Sequence, residues 1–299
     1  MTSVITVIGL GAMGLPIATN LSTQFHVNGV DISPERLALA EETGIATFDN
    51  SREAVTNSDL VLLAVRNEAQ LNEVLFGNDG IASALKPGAT ILLISTVGIA
   101  AVEKAAQRLE SEGFGLIDAP VSGGPVRAGE GDLLVTVGAY PELLEKHRGV
   151  LECMAGNLVI VGDNPGKGQA LKTVNQLLCG VHIAAAGEAM ALAGKLGLDQ
   201  ESALDALMSG AASSFMLGDR GQRMLEAYTE DGAEVKSRMD IFVKDMDIVT
   251  TAAKEAGIAV PVAAAAQQQY SQAIARDMAA VDDSAIIRIV SPTDPAQKG

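Results

Sequence analysis

The chain has 299 residues, and 48% of them are apolar, which is enough to form two domains with substantial cores. Its formal net charge of −16 argues against nucleic acid or an anionic membrane as a partner, because both require clustered Lys and Arg. The two cysteines and three histidines form no metal-ligand motif. The uncharged runs Ala89 to Val102 and Thr173 to Gly187 are shorter than the roughly 18 to 20 residues that span a bilayer, and no basic residue of a targeting segment precedes Arg36. We therefore expect a cytoplasmic protein without a metal.

The first predicted strand, Val4 to Ile8, leads directly into the hexad Gly9-Leu10-Gly11-Ala12-Met13-Gly14. Gly9 permits a tight turn, Gly11 lets the backbone approach a pyrophosphate, and Gly14 lets the next helix pack close to the strand. The phosphates would then bind the N-terminus of that helix, where free N–H groups and the positive dipole end point toward them. We therefore expect the hexad to bind a dinucleotide, although an ordinary tight turn has the same glycines.

Asp31 closes a second apolar run about twenty residues after the hexad, at the spacing of a ribose-binding acid. A carboxylate there accepts hydrogen bonds from ribose hydroxyls and repels a 2′-phosphate, so NAD is the expected cofactor. Ser33 and Pro34 are typical of an N-cap and a first helical position. Arg36, one turn into that helix, leaves NADP open as an alternative.

Short apolar runs alternate with helical patterns up to about residue 162, which predicts a doubly wound α/β domain of the Rossmann type. We expect Val65 to contact the cofactor at the end of its strand, since ligands bind at the carboxyl ends of such strands. Helices are expected from Pro34 to Glu42 and from Ala100 to Glu112, with Gly44 and Gly113 after their ends. The predicted strands are Val4 to Ile8, Val27 to Val30, Leu60 to Val65, Thr90 to Ile94, Gly115 to Ile117, Leu133 to Val137 and Leu158 to Val161.

The segment Asp118-Ala119-Pro120-Val121-Ser122-Gly123-Gly124 follows one of these strands. Two glycines after a serine place backbone N–H groups beside a hydroxyl, an arrangement that suits a carboxylate. The pattern alone is as typical of a plain loop as of a binding loop.

The strand pattern ends at about residue 162, which predicts three parts of the chain: a dinucleotide-binding domain (1–162), an all-helical domain (163–291) and a disordered tail (292–299). One long helix is expected from Gly168 to Leu196, followed by helices with breaks near Gly232 and Pro261. Ala and Gly occupy nearly every face of the long helix, so we expect it to be buried, with a second subunit contributing to that burial.

Lys172 is the only charge on a helical stretch that otherwise stays uncharged until Glu188. Most lysines are simply solvated. Near a helix N-terminus, however, the dipole and burial both disfavour the ammonium form, which suits an acid/base group. Asn175 and Gln176 follow at i+3 and i+4, on the same face, where they could orient the ammonium or a substrate hydroxyl.

Lys244 and Asp245 lie on a predicted C-terminal helix, within Phe242-Val243-Lys244-Asp245. The pattern does not distinguish a functional pair from an ordinary exposed ion pair.

Taken together, Gly9 to Gly14, Asp118 to Gly124, Gly166 to Gln176 and Lys244-Asp245 resemble the β-hydroxyacid dehydrogenases over the whole chain. That group includes 3-hydroxyisobutyrate dehydrogenase, tartronate semialdehyde reductase and, more remotely, 6-phosphogluconate dehydrogenase. The resemblance implies a Rossmann domain followed by an all-helical domain, and homodimers or homotetramers formed through the helical domain.

The resemblance also implies a role for individual residues. Lys172 matches the catalytic acid/base, and Ser122, Gly123 and Gly124 match the residues that bind the substrate carboxylate. Asn175 and Gln176 match the amides that position the reacting hydroxyl, although many members have two asparagines there. In the same way, Thr96 of the Ser95-Thr96 pair matches a cofactor contact, and Lys244 matches a lysine beside the nicotinamide and substrate.

A narrower likeness, to the branch that contains L-threonate dehydrogenase, rests on Gln176, Gly180 to Met190, Asp240 to Asp245 and Asp282 to Ala285. We therefore expect NAD-dependent oxidation of a small 3-hydroxy acid, with a four-carbon sugar acid such as L-threonate as the first candidate. Alternatives are 3-hydroxyisobutyrate dehydrogenase or tartronate semialdehyde reductase activity and, more remotely, a dinucleotide-sensing protein without turnover. An imine reductase would share the glycine hexad but lack the lysine that matches Lys172.

Overall fold

The structure is a computed structural model that describes residues 3–295. The chain forms two compact units, the first ending at Lys172 and the second beginning at Thr173. Part of the tail expected to be disordered, residues 296–299, lies outside the described residues.

The first unit is built on one nine-stranded sheet, in the order β3-β2-β1-β4-β5-β6-β8-β7, with β9 also paired to β8. The strands β1 to β6 pair in parallel, and β8 runs antiparallel to β6 and β7 but parallel to β9. The nine strands are β1 (Val4–Ile8), β2 (His26–Val30), β3 (Ala46–Phe48), β4 (Leu60–Leu63), β5 (Thr90–Leu93), β6 (Gly115–Asp118), β7 (Val121–Ser122), β8 (Leu133–Gly138) and β9 (Ala155–Gly162).

Helices connect these strands, and alternate strand residues point into two separate cores. Leu60 and Leu62 pack into one core, whereas Val61 and Leu63 pack into the other, because successive side chains point to opposite faces of a strand. The helices are α1 (Gly14–Ser22), α2 (Pro34–Glu42), α3 (Ser51–Val55), α4 (Glu68–Phe76), α5 (Ile99–Ser111), α6 (Gly124–Gly129) and α7 (Pro141–Met154). The predicted doubly wound α/β fold is confirmed.

The ends of the predicted helices follow the local sequence signals. Ser33 caps α2 by accepting a hydrogen bond from the Arg36 N–H, and Pro34 occupies the first turn. Gly44 and Gly113 take positive φ values of 83° and 86° just past the ends of α2 and α5. That conformation costs glycine little, which is why glycine commonly ends helices.

Beyond the sheet the chain is helical, as expected. The helices are α8 (Lys167–Lys195), whose first turns belong to the first unit, α9 (Gln200–Met208), α10 (Phe215–Glu226), α11 (Met239–Glu255), α12 (Pro261–Ile274) and α13 (Ile287–Val290). Within residues 173–295, pairing of the strand type is confined to one isolated bridge between Arg238 and Asp282. The second unit therefore packs helix against helix around its own core.

Buried ion pairs fix the chain just before α11. Arg223 donates to the Asp282 carboxylate at 3.0 Å, and Asp282 also accepts from the backbone N–H groups of Lys236 and Ser237. Burial raises the pKa of the Asp282 carboxyl, but hydrogen bonds from Ser284 and from these two backbone N–H groups outweigh burial and lower the pKa overall. Because α11 begins at Met239, the same bonds fix its start.

The long helix α8 is less buried than its composition indicates. Its length and a mean hydropathy of 1.5 would suit a membrane span, but half of that apolar window is buried inside the protein. The remainder forms an exposed stripe at helical spacing, which includes Leu171, Val174, Leu178 and Leu192. A single chain therefore buries only part of this helix, and the exposed stripe is the part to whose burial a second subunit is expected to contribute.

His147 is buried on α7, and its Nε2 lies 2.9 Å from the hydroxyl oxygen of Thr90 at the start of β5. Burial, and secondly the positive charge of Lys146, lower the pKa of His147 from 6.5 to about 4. The unfolded chain therefore binds this proton first as the pH falls. The contribution of His147 to stability is complete above about pH 6.5 and is lost as the pH falls toward 4.

We predict that the free energy of unfolding of the wild-type protein falls more steeply between pH 6.5 and 4 than that of His147→Gln. The slopes of the free energy of unfolding against pH should differ between the two proteins by up to about 1.4 kcal/mol per pH unit, measured by urea unfolding at several pH values. His26 and His182 are present in both proteins and act as an internal control. Equal pH dependence in the two proteins would contradict this assignment.

Candidate functional site

The glycine hexad turns directly out of β1 with the geometry that a bound pyrophosphate needs. Gly9 has a φ of +96°, and a Cβ there would overlap the carbonyl oxygen of Ala64. A Cβ on Gly14 would overlap the carbonyl oxygen of Gly9. Around Gly11, by contrast, a Cβ would meet nothing within 4 Å, and Gly11 and Ala12 are both exposed. The hexad therefore fits a dinucleotide, because Gly9 and Gly14 are tightly packed while the backbone at Gly11 and Ala12 is open to a ligand.

Asp31 is joined to the hexad by its own carboxylate. Its Oδ2 accepts from the Leu10 N–H at 2.6 Å, and its Oδ1 accepts from the Ser33 N–H at 2.9 Å. Each oxygen has a second lone pair, so the carboxylate keeps acceptor capacity for ribose hydroxyls. Met13, the N-cap of α1, makes no capping hydrogen bond through its side chain.

Val65 and Thr96 follow neighbouring strands, β4 and β5, and the serine before Thr96 links the two loops. The Ser95 hydroxyl accepts from the Val65 N–H at 2.7 Å. Val65 and Thr96 are both half-buried. The two predicted cofactor residues therefore lie at the carboxyl edge of the sheet, where ligands of open α/β sheets bind.

Lys172 and Ser122 meet in the first unit. Lys172 is 8% exposed, and its Nζ donates to the Ser122 Oγ at 2.7 Å. Ser122 ends the short strand β7 and is half-buried. Gly123 and Gly124 follow with φ values of +143° and +77°, conformations that favour glycine. The arrangement places a buried amine, a hydroxyl and a glycine backbone side by side.

The Asp118 side chain connects this loop to the start of α8. It is fully buried, and its carboxylate accepts from the N–H groups of Gly166 and Gln169 and from the Gln169 side chain, each at 2.9 Å. Burial raises the pKa of Asp118 from 3.8 to about 6, while these hydrogen bonds oppose the rise. The sequence pattern included Asp118 and Gln169 in motifs but assigned neither a role.

In the second unit, Asp245 connects the three other predicted site residues. Its Oδ2 accepts from the Gln176 Nε2 at 2.5 Å, and its Oδ1 accepts from the Lys244 Nζ at 2.7 Å. The Gln176 Oε1 in turn accepts from the Asn175 Nδ2 at 2.9 Å. Asp245 is only 2% exposed, so the alternative of an ordinary exposed pair is wrong.

Two protein-family models match consecutive parts of the chain. The family described as the NAD binding domain of 6-phosphogluconate dehydrogenase matches residues 4–162. The family described as NAD-binding of NADP-dependent 3-hydroxyisobutyrate dehydrogenase matches residues 166–290.

Full-length relatives are similar as well. L-threonate dehydrogenase from Cupriavidus necator is 37% identical, covering 97% of this chain and 96% of its own. For 2-hydroxy-3-oxopropionate reductase from Escherichia coli the identity is 32%, covering 94% of each chain. A crystal structure of 3-hydroxyisobutyrate dehydrogenase from Salmonella typhimurium has a TM-score of 0.89 and 34% identity, covering 96% of this chain and 99% of its own. Since these similarities extend over nearly all of both units, the chain belongs to the β-hydroxyacid dehydrogenase family of NAD(P)-dependent oxidoreductases.

Proposed function

We propose that this dehydrogenase oxidises the hydroxyl of a small, polar hydroxy acid, with L-threonate as the first candidate and NAD as the preferred cofactor. The main support for this chemistry is the hydrogen bond from Lys172 to Ser122, which places the proposed proton acceptor beside the proposed carboxylate site. The choice of substrate is supported by the L-threonate dehydrogenases, which are 35% to 37% identical to this chain. The second candidates are 3-hydroxyisobutyrate and, in the reducing direction, 2-hydroxy-3-oxopropionate (tartronate semialdehyde), the acids named for two other relatives.

Lys172 is the proposed acceptor of the hydroxyl proton. A neutral amine that donates one N–H to Ser122 keeps its lone pair for the substrate hydroxyl. Bound NAD supplies the acceptor for the hydride that leaves the same carbon.

Ser122, Gly123 and Gly124 are the proposed carboxylate site. Because the Ser122 oxygen accepts from Lys172, its own proton is available to donate to a carboxylate oxygen. The backbone N–H groups of Gly123 and Gly124 provide further donors beside it.

In the second unit, Asn175 and Gln176 are proposed to position the reacting hydroxyl, and Lys244 to contact the cofactor. Asn175 donates to the Gln176 Oε1 and to the Cys179 sulfur, so its carbonyl oxygen is the group that can accept from the substrate hydroxyl. Gln176 donates one N–H to Asp245 and keeps the other for a ligand. The proposed cofactor residues in the first unit are Gly9, Leu10, Gly11, Ala12, Met13, Gly14, Asp31, Val65 and Thr96.

We also propose that the enzyme works in the cytoplasm as a homodimer or homotetramer formed through its helical part. The stripe of Leu171, Val174, Leu178 and Leu192 on α8 is an exposed apolar face of the kind that associating helices cover. A molar mass of a single chain in solution would contradict this proposal.

The first test is NADH formation with a set of hydroxy acids, followed by absorbance. L-threonate is expected to give the highest kcat/KM, ahead of 3-hydroxyisobutyrate and simple 2-hydroxy acids. A higher value for 3-hydroxyisobutyrate would favour the second candidate. Complete lack of turnover across the set would favour the dinucleotide-sensing alternative.

Lys172→Ala is expected to lower kcat by about 10²- to 10⁴-fold, the usual contribution of a general acid/base group. NADH binding, followed by its fluorescence, should stay close to wild type, because the substitution leaves the glycine hexad and Asp31 intact. Lys167→Ala, at the exposed first residue of α8 and five residues earlier, is the matched control. Undiminished turnover in Lys172→Ala would exclude this lysine as the base.

Ser122→Ala is expected to lower kcat/KM by about 10- to 150-fold, since a hydrogen bond to a charged group contributes roughly 1.5 to 3 kcal/mol. The loss should be much smaller with an amide analogue of the substrate, which has no carboxylate to bind. Ser111 is exposed, and Ser111→Ala serves as the control. Equal losses with acid and amide would show that Ser122 contacts another part of the substrate.

Asp31→Ser is expected to lower kcat/KM with NAD and to bring it closer to the value with NADP, because the substitution removes the charge that repels a 2′-phosphate. The ratio of kcat/KM for the two cofactors is the measurement. Glu35 is exposed in the first turn of α2, and Glu35→Ser, which removes that acid, should leave the ratio unchanged. A wild-type preference for NADP would contradict the proposed role of Asp31.

A further inference from the structure

The side-chain amide of Gln169 uses all of its hydrogen-bonding capacity inside the first unit. Its Oε1 accepts from the N–H groups of Val97 and Gly98, at 3.0 and 3.1 Å. Its Nε2 donates to the Ser95 carbonyl at 3.0 Å and to the Asp118 Oδ1 at 2.9 Å. An amide has two donors and two acceptor lone pairs, so this one is saturated.

These partners also fix the orientation of the amide. A flipped amide would point its N–H groups at two other N–H donors and its oxygen at a carbonyl and a carboxylate. Gln169 is fully buried, so water cannot replace any of these bonds. A flip would leave these four buried partners without their hydrogen bonds, which strongly disfavours the flipped orientation.

The first turn of α8 approaches the sheet closely at the same place. A Cβ on Gly168 would lie 2.6 Å from the carbonyl oxygen of Asp118 and 2.7 Å from that of Thr136. The Asp118 carboxylate meets the first N–H groups of the helix, where a negative charge is favourable. Gln169 and Asp118 therefore join the ends of β5 and β6 to the start of α8.

Three proposed site residues lie next to this junction. Lys172 is three residues after Gln169 on α8, and Ser122 is four residues after Asp118. Thr96 lies between Ser95 and Val97, both of which bond to the Gln169 amide. A shift of the amide would therefore be transmitted to all three.

We propose that Gln169 and Asp118 are positioning residues that set the place of Lys172 and Thr96 relative to Ser122. This inference rests on the role proposed above for Lys172. Neither side chain is assigned a contact with substrate, so both act through the residues they hold. A misplacement of about 1 Å can lower a rate by about 10²-fold, so a small shift at this junction affects kcat.

The test is a pair of isosteric substitutions and their combination. Gln169→Glu places a carboxylate against the Asp118 carboxylate, and Asp118→Asn places an amide donor against the Gln169 donor. Each is expected to lower kcat by about 100-fold with KM changed less than about threefold. In the Asp118→Asn/Gln169→Glu double variant, the amide of residue 118 can donate to the carboxylate of residue 169. This exchange should recover at least about tenfold of the lost kcat.

Thr90→Val is the matched control for stability. It removes a buried side-chain hydrogen bond at the opposite end of β5, where Thr90 meets His147. We expect it to lower Tm by an amount comparable to the single variants while leaving kcat unchanged. All rates are compared at a temperature where each protein is fully folded.

Hydrogen–deuterium exchange of the cofactor-free protein gives a readout that needs no turnover. The amides of Val97 and Gly98 should exchange slowly in the wild-type protein and in Thr90→Val. They should exchange faster in Gln169→Met, which keeps the length of the side chain but offers no acceptor oxygen for these amides.

Wild-type kcat in Gln169→Glu, or a double variant slower than both single variants, would overturn the proposal. Failure of all three variants to fold would overturn it too, because the pair would then be a folding element. Loss of activity in Lys172→Ala with wild-type activity in Gln169→Glu overturns only this inference. Full activity in Lys172→Ala would remove the role of Lys172 and this inference together.

Discussion

The contact between the first turn of α8 and the carboxyl edge of the sheet is the constraint on which the proposed site depends. Asp118 makes that contact possible, because it supplies an acceptor to N–H groups that would otherwise be buried without partners. Gly168 lets the two backbones approach, since any side chain there would meet two carbonyl oxygens. The position of Lys172, one turn further along, follows from these two residues.

The parallel sheet explains why residues distant in sequence lie along one edge. Strands β1, β2, β4, β5 and β6 run in the same direction, so the loops that follow them emerge together. The segment that follows each strand adds one part of the proposed site: the glycine hexad, Asp31, Val65, Thr96 and Ser122. Hydrogen bonds between neighbouring loops, from Leu10 to Asp31 and from Val65 to Ser95, hold the loops in place. The candidate site is therefore supported by backbone geometry as well as by side-chain chemistry.

Much of this architecture can be predicted from the sequence, because buried parallel strands and glycine turns have strong local signals. The expected bounds of β1 and α2 agree with the structure, and those of α8 differ by one residue. Two short strands, β3 and β7, have no such signal. They are only three and two residues long, and they are extended because they pair with the neighbouring strands β2 and β8. The start of β9 was also missed, because Gly156 and Asn157 are exposed and break the apolar run.

Hydrogen-bond partners that are distant in sequence are harder to predict than helices and strands. Nothing near Asp245 in the sequence indicates that it is buried against Gln176, 69 residues away. The four partners of Gln169 likewise come from two other segments of the chain. The exposed stripe on α8 was hidden by composition, because alanine and glycine suit buried and exposed faces alike.

The central claim is that the Lys172 amine accepts the substrate proton, and chemical rescue tests it most directly. Primary amines of graded basicity would be added to Lys172→Ala, and the rate of NADH formation measured with the acid that the wild-type enzyme oxidises fastest. General base catalysis by Lys172 predicts that the rate increases with the pKa of the added amine. A rate that does not depend on the basicity of the added amine would contradict the role of Lys172 as the base.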